Sequence, residues 1–195
     1  MKVAVSVAHS EMKPGACHGG ACEHGESLVW SLMVTDKLAD PIECVMVQGE
    51  SLTEKVAIVN EKQCDLALEI HFNSVAGGGV SGSETLYYPG SERGKEAAII
   101  MQKHVVAAMQ NPNRGVKEGW YKQDRPGIVD WYGDEDGDET PLYFLKATNC
   151  PALILEPEFI QQYGHIKNSR HVATEAIAKG IFEILDLWEL EDLIP

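Results

Sequence analysis

The sequence predicts an α/β fold of three layers (α/β/α), with a mostly parallel central sheet and helices on both faces. Short apolar runs of strand length alternate with longer amphipathic stretches of helical period. Three of those runs end in an ionisable residue: VAVSVAH at His9, LALEIH at His71 and ALILE at Glu156. The chain has 195 residues, 44% of them hydrophobic, which suits one ordinary core. No Ser/Gly-rich or Pro-rich linker and no internal repeat divides it, so residues 1–195 are expected to form a single domain.

Lys2 to Ala8 alternates Val3, Val5 and Val7 and reads as a strand. A Gly- and His-rich loop follows from Ser10 to Gly25. Glu26 to Leu38 reads as a helix with Leu28, Val29, Leu32 and Met33 on one side. Ile42 to Val47 is a second strand. Ser51 and Glu54 are spaced as a capping box, opening a helix to about Gln63. Asp65 to Ile70 is a short apolar strand. Gly77 to Gly82 is a glycine-rich turn before a β-rich segment, Glu84 to Tyr88. Gly94 to Gln110 is a long amphipathic helix, and Asn111 to Pro141 reads as irregular. Ala152 to Leu155 is a buried-looking strand, and Arg170 to Leu190 a final amphipathic helix whose Leu/Ile stripe is core packing.

The formal net charge of −14 disfavours binding to nucleic-acid phosphates. It also gives no long-range attraction to a polyanionic cell surface, so recognition of such a surface would have to come from the site. No stretch is long enough to span a bilayer. The apolar run Val3 to Ala8 is too short for a signal-peptide core, so the expected location is the cytoplasm of the producing cell. In that reducing compartment the five scattered cysteines (17, 22, 44, 64 and 150) are expected to be free thiols.

Parallel strands present functional groups at their carboxyl ends. If the three strands are neighbours, His9, His71 and Glu156 converge there. Two histidines and a carboxylate form a common hydrolytic zinc set with a fourth position open. His9 and His71 supply the nitrogens. Glu26 and Glu23 are both candidates for the carboxylate. Glu26 is preferred because it directly precedes the helical pattern, and rigid elements hold ligands more accurately than glycine loops. Glu156, ending a buried strand before Pro157 and Phe159, is placed to act as the general base, with its pKa raised by an apolar setting.

Four blocks carry a family resemblance: Leu52 to Asn60, Asp65 to Ser74 (DLALEIHFNS), Asn113-Arg-Gly-Val-Lys117, and Leu145 to Ile160 with its Pro-Ala, strand, Glu and Phe. In this order the sequence resembles the zinc-dependent N-acetylmuramoyl-L-alanine amidases of the "amidase 3" type. The resemblance implies zinc (Zn2+) held by His9, Glu26 and His71, with Glu156 as the catalytic glutamate. It also implies peptidoglycan as substrate, cut at the amide between N-acetylmuramic acid and L-alanine. With no signal peptide or wall-binding module in view, the chain looks like a phage endolysin catalytic domain, acting on the wall after release. Two departures stand out. The family's Gly-His-Gly-Gly appears as Ala8-His9-Ser10-Glu11, with a separate His18-Gly19-Gly20 read as loop. The family's arginine in the helix before the second histidine appears as Lys55.

Cys17, His18, Cys22 and His24 do not match a zinc-finger spacing. Asp134 to Glu139 reads as a solvated acidic turn rather than a full calcium loop. Trp120 to Thr140 looks like an insertion bordering the substrate groove, whose Trp120, Tyr121, Trp131 and Tyr132 stack on substrate or pin the loop. The competing readings are a zinc peptidase or small-molecule deacylase on a related scaffold, and an inactive wall-binding module.

Overall fold

The computed structural model describes residues 1–38, 42–121 and 140–192. The elements run β1 (Lys2–Val7), β2 (Cys17–His18), β3 (Ala21–Cys22), α1 (Glu23–Lys37), β4 (Glu43–Val47), α2 (Leu52–Glu61), β5 (Leu66–Ile70) and β6 (Ser83–Tyr87). They continue with α3 (Glu92–Met109), β7 (Asn113–Glu118), β8 (Trp120–Tyr121), β9 (Thr140–Pro141), α4 (Tyr143–Ala147), β10 (Ala152–Glu156), a 3-10 turn (Ile160–Gln162) and α5 (Tyr163–Asp192). Six strands form the central sheet in the order β4-β1-β5-β10-β6-β7. All neighbours are parallel except β6, which runs antiparallel to β10.

Alternation along each strand sends side chains to two cores. Val3, Val5, Leu68, Ile70, Leu153 and Leu155 meet Trp30, Met101, Ile177 and Ile181 from α1, α3 and α5. On the other face the smaller Ala4, Ala67 and Ala152 meet Val56, Val59 and Phe144, under α2 and α4. The three strands that end in His9, His71 and Glu156 are consecutive in the sheet, β1-β5-β10, so their carboxyl ends share one rim.

Five local expectations need correction. Helix α1 starts at Glu23 rather than Glu26, because the β2–β3 hairpin delivers the chain to Cys22 in extended form and places both Glu23 and Glu26 in the first turn. The same hairpin opposes Cys17 and Cys22 at a Cα separation of 4.0 Å, where they form a disulfide. The expectation of five free thiols therefore holds only for Cys44, Cys64 and Cys150. Asn113 to Glu118 is a strand at the sheet edge, not irregular chain. Its exposed, polar side chains hid it, since an edge strand needs no apolar alternation. Helix α5 begins at Tyr163, seven residues before the expected start at Arg170. The capping box on α2 is half formed. Ser51 Oγ accepts the Glu54 N–H at 3.2 Å, but the Glu54 carboxylate accepts from Glu50 N instead, at 3.0 Å. Most of the predicted 120–140 insertion, with Trp131, Tyr132 and the acidic run, lies outside the described residues.

Beyond β10 the chain is fixed by Glu158, whose side chain is fully buried. Its carboxylate accepts bonds from Phe159 N, Gly82 N, Ser81 Oγ, Asn111 Nδ2 and His165 Nδ1. Burial would raise its pKa, but these donors outweigh burial and hold it below the ordinary 4.5. The charge therefore stabilises the fold above that value, and the contribution fades as pH falls through and below it. Glu158→Ala should cost about 3 kcal/mol at neutral pH by leaving buried donors unsatisfied. Thermal denaturation should show the gap between wild type and variant closing in acid. An equal gap at neutral and strongly acid pH would contradict this assignment.

Candidate metal and acid–base site

The rim of the sheet is assembled by the first turns of α1. Ser27 Oγ, fully buried, accepts the Ala8 N–H at 2.7 Å and donates to the Ile70 carbonyl at 2.5 Å. His24 Nδ1 donates to the Ala8 carbonyl at 3.0 Å. One helix thus ties the ends of β1 and β5, immediately before His9 and His71. The two rings lie with centroids 5.0 Å apart.

Between them sits Glu23. Its Oε2 is 2.7 Å from His9 Nε2 and 3.6 Å from His71 Nδ1. Its Oε1 accepts the Ala16 N–H at 2.8 Å, which turns Oε2 toward the imidazoles. His9, Glu23 and His71 each offer a ligand atom within 4.8 Å of the others. His9 carries a left-handed φ of 60°, an uncommon backbone for a non-glycine residue. Gly15 closes over its ring: a Cβ there would come within 2.6 Å of His9 Nε2, the atom that faces Glu23.

Glu26 is not part of this cluster. Arg170 of α5 grips its carboxylate through Nη2 at 2.7 Å to both oxygens and through Nε at 3.2 Å. The reason is helical phase. Residues four apart share a face, so Glu23 lies over the strand ends with Ser27, whereas Glu26 turns about 60° away toward α5. Glu26 pins helix to helix, and Glu23 takes the place that the preference for a rigid element had given to Glu26. Of the alternative knuckle, Cys17 and Cys22 are joined to each other and His18 is exposed in the hairpin.

The second nitrogen of His71 is also engaged. Nε2 bonds Glu69 Oε2 at 3.0 Å. Glu69 lies 2% exposed in β5, and is balanced by buried Lys55, whose Nζ is 3.4 Å from Glu69 Oε1 and 2.5 Å from the Val7 carbonyl. Ser6 Oγ donates to the same Glu69 oxygen at 3.1 Å. Burial disfavours a charged His71, yet the Glu23 and Glu69 carboxylates on either side push its pKa up to about 10. Burial likewise opposes ionisation of Glu23, but His71 and His9 bring its pKa down to about 2. Neither Glu69 nor the structural use of Lys55 figured among the sequence-derived candidates. A charged residue inside the otherwise apolar run LALEI was the available signal.

Glu156 ends β10 beside these groups, with the His71 N–H bonded to the Leu155 carbonyl at 2.8 Å. Its Oε2 is buried with no hydrogen-bond partner among the described residues. Burial pushes its pKa up to about 8, helped by the neighbouring Glu23, Glu84 and Glu69 charges and opposed by His71.

Two imidazole nitrogens and one carboxylate oxygen, converging from the ends of β1 and β5 and the first turn of α1, are a donor set that zinc accepts. The bond from His71 Nε2 to Glu69 is the kind of contact that fixes the tautomer of a metal-binding histidine and leaves Nδ1 free to bind. Glu69→Gln should therefore lower zinc affinity about 10- to 100-fold in a chelator competition, while circular dichroism shows the fold retained. Unchanged affinity in a folded variant would remove Glu69 from the site.

Comparison with known proteins places the fold and the family. The chain is similar to an N-acetylmuramoyl-L-alanine amidase from Clostridium difficile 630, at 20% identity and TM-score 0.78, over 95% of this chain and 96% of that one. It is equally similar to the catalytic domain of CwlV, an N-acetylmuramoyl-L-alanine amidase from Bacillus (Paenibacillus) polymyxa var. colistinus, at 20% identity and TM-score 0.78, over 95% and 98%. At such identities the likeness establishes the fold. In sequence it is 34% identical over 124 residues to the uncharacterised protein YqiI of Bacillus subtilis (strain 168), covering 60% of this chain and 59% of that protein's length. Residues 3–186 match the N-acetylmuramoyl-L-alanine amidase family, and the chain belongs to that family of enzymes.

Proposed function

We propose that this chain is a zinc-dependent hydrolase of the amide bond between N-acetylmuramic acid and L-alanine in peptidoglycan. The observation that carries the reading is the pairing of a His9–Glu23–His71 donor cluster with a buried Glu156 oxygen, unpartnered among the described residues, at the same rim. When bound, zinc supplies Lewis acidity: it polarises a carbonyl and makes water nucleophilic near neutral pH. His9, Glu23 and His71 would hold the ion, with Glu69 setting the His71 tautomer. Glu156 does the proton work. Its free oxygen takes a proton from the attacking water and returns it to the nitrogen of the departing L-alanine. A carboxyl whose pKa stands near the working pH suits both directions of that transfer.

The biological setting we propose is wall lysis of the endolysin kind, after synthesis in the cytoplasm and release. Its support is the resemblance read from the sequence, together with a fold likeness to the catalytic domain of an endolysin targeting Clostridia difficile (21% identity, TM-score 0.69, 94% and 97% coverage). The Cys17–Cys22 disulfide suits an enzyme at work on the oxidising side of a membrane.

Chelation should abolish release of muropeptide-derived peptides from purified peptidoglycan, and added zinc should restore it. Glu156→Gln should lose at least about a hundredfold in kcat while retaining zinc. Release that survives both treatments would sink the mechanism. Zinc-dependent cleavage of free acyl-amino acids but not of peptidoglycan would favour a deacylase, and binding without release an inert wall module.

The two acidic residues of the first α1 turn separate cleanly. Glu23→Gln should lose both zinc and activity. Glu26→Gln should keep zinc but melt at lower temperature, because it breaks the partly buried pair with Arg170. The reverse pattern, measured by metal analysis and thermal denaturation, would return Glu26 to the ligand role.

A further inference from the structure

Next to Glu156 the sheet carries a second cluster of charge. Glu84 of β6 lies directly opposite Glu156 of β10 in the antiparallel pair, so both side chains leave the same face. Asn73 Nδ2 donates to Glu84 Oε1 at 2.8 Å. Two cations share the other oxygen: Arg114 Nε at 2.7 Å and Lys117 Nζ at 2.6 Å from Oε2. One carboxylate against two cations leaves a local excess of one positive charge, in a chain with 16 Lys and Arg against 30 Asp and Glu.

The convergence of Arg114 and Lys117 requires a built irregularity. Residues three apart on a regular strand point to opposite faces. Here β7 has an extra residue where it pairs with β6: Ser83 opposes Asn113, but Thr85 opposes Val116. Gly115 sits in that bulge with φ 84° and its N–H on Asn113 Oδ1 at 2.8 Å. The bulge reverses the alternation and brings both cations to one oxygen. This is what the Asn-Arg-Gly-Val-Lys segment does in three dimensions.

Neutralising Glu84 does not use up the two cations. Arg114 has five N–H donors and spends Nε; its outer nitrogens have no other partner among the described residues. Its guanidinium is steadied over the buried Phe159 ring, 5.0 Å from the centroid. The Arg114 and Lys117 side chains remain 34% and 43% exposed. A guanidinium fork beside an ammonium matches a carboxylate.

We propose that Arg114 and Lys117 form a carboxylate-binding subsite that takes an acidic group of the substrate's peptide stem. This rests on the amidase reading above. The chemistry of that substrate selects the stem: the lactyl carboxyl of muramic acid is consumed in the scissile amide, so the remaining carboxylates belong to the peptide. Binding one of them here would register the peptide beside Glu156, on the side where the leaving amine needs its proton.

The test uses two muramoyl peptides that differ only in a stem carboxylate or its uncharged carboxamide. The wild-type enzyme should prefer the acid about tenfold in kcat/KM, chiefly through KM, and the preference should shrink with salt. Lys117→Gln and Arg114→Gln should each bring the ratio toward one, and Lys117→Arg should restore it. Glu84→Gln should enlarge it by removing the competing anion. Equal cleavage of the two substrates by the wild type, or a ratio untouched by these variants, overturns the subsite. Glycerol phosphate that competes through Lys117 with no acid preference would assign the pocket to wall phosphate and also overturn it. If neither substrate is cut, the amidase reading has failed by itself. Calorimetry with the acidic and amidated stem peptides then judges the subsite separately, and equal binding overturns it.

Discussion

The geometry of the rim rests on a single buried hydroxyl. Ser27 Oγ holds the backbone N–H that precedes His9 and the backbone carbonyl that precedes His71, so it fixes two strand ends with one atom. Neighbouring strands lie about 4.8 Å apart, and residues leaving adjacent carboxyl ends bring their side chains to the spacing of ligands around one ion. The same contact sets the roll of α1. Once Ser27 faces the sheet, the residue one turn earlier must face it too, and that residue is Glu23. Glu26 then has to turn toward α5, where Arg170 meets it. Which of the two acids joins the histidines follows from helix phase, and helix phase follows from the hydroxyl.

Around this point the protein sorts three carboxylates on one face of the sheet by the company each keeps. Glu69, in the register that pairs β5 with β1 and β10, has Lys55, Ser6 and His71. Glu84 has Arg114, Lys117 and Asn73. Both have pKa values held below the ordinary range against the pull of burial, so both are fixed anions. Glu156, between them, has an oxygen with no bonded partner among the described residues and two anionic neighbours. Burial and like charge push its pKa up to about 8, against the pull of His71. Similar side chains thus keep different company, and in the proposed mechanism two set the field and one moves a proton.

Much of this could be read from the chain, and the remainder was hidden for definite reasons. Apolar runs ending in His9, His71 and Glu156 announced parallel strands, and the sheet order makes those strands neighbours. The choice between Glu23 and Glu26 was not legible, because it depends on where α1 begins. That start is set by a hairpin of two-residue strands closed by Cys17 and Cys22, too short for any periodic signal. Strand β7 was missed because it lies at the sheet edge with mainly exposed side chains. Glu69 and Lys55 were both visible as charges in apolar patterns. Their pairing joins residues of different elements, which spacing alone does not reveal.

The overall charge places a constraint on how such a site selects its substrate. A net charge of −14 opposes approach to an anionic wall polymer. Screening limits that opposition to about 8 Å at physiological salt, so beyond this range the field has little say. Within it, what a substrate meets is local. The rim presents a donor cluster for a cation, then a neutral or singly charged Glu156, then the cationic side of Glu84 with Arg114 and Lys117. Under the proposed subsite, a peptide stem meets attraction where Arg114 and Lys117 stand, and a register that moves its acid group away from them loses that contact. The net charge therefore has little say beyond that range, and under the proposed reading the alternation of charge along the rim favours one register of the stem over Glu156.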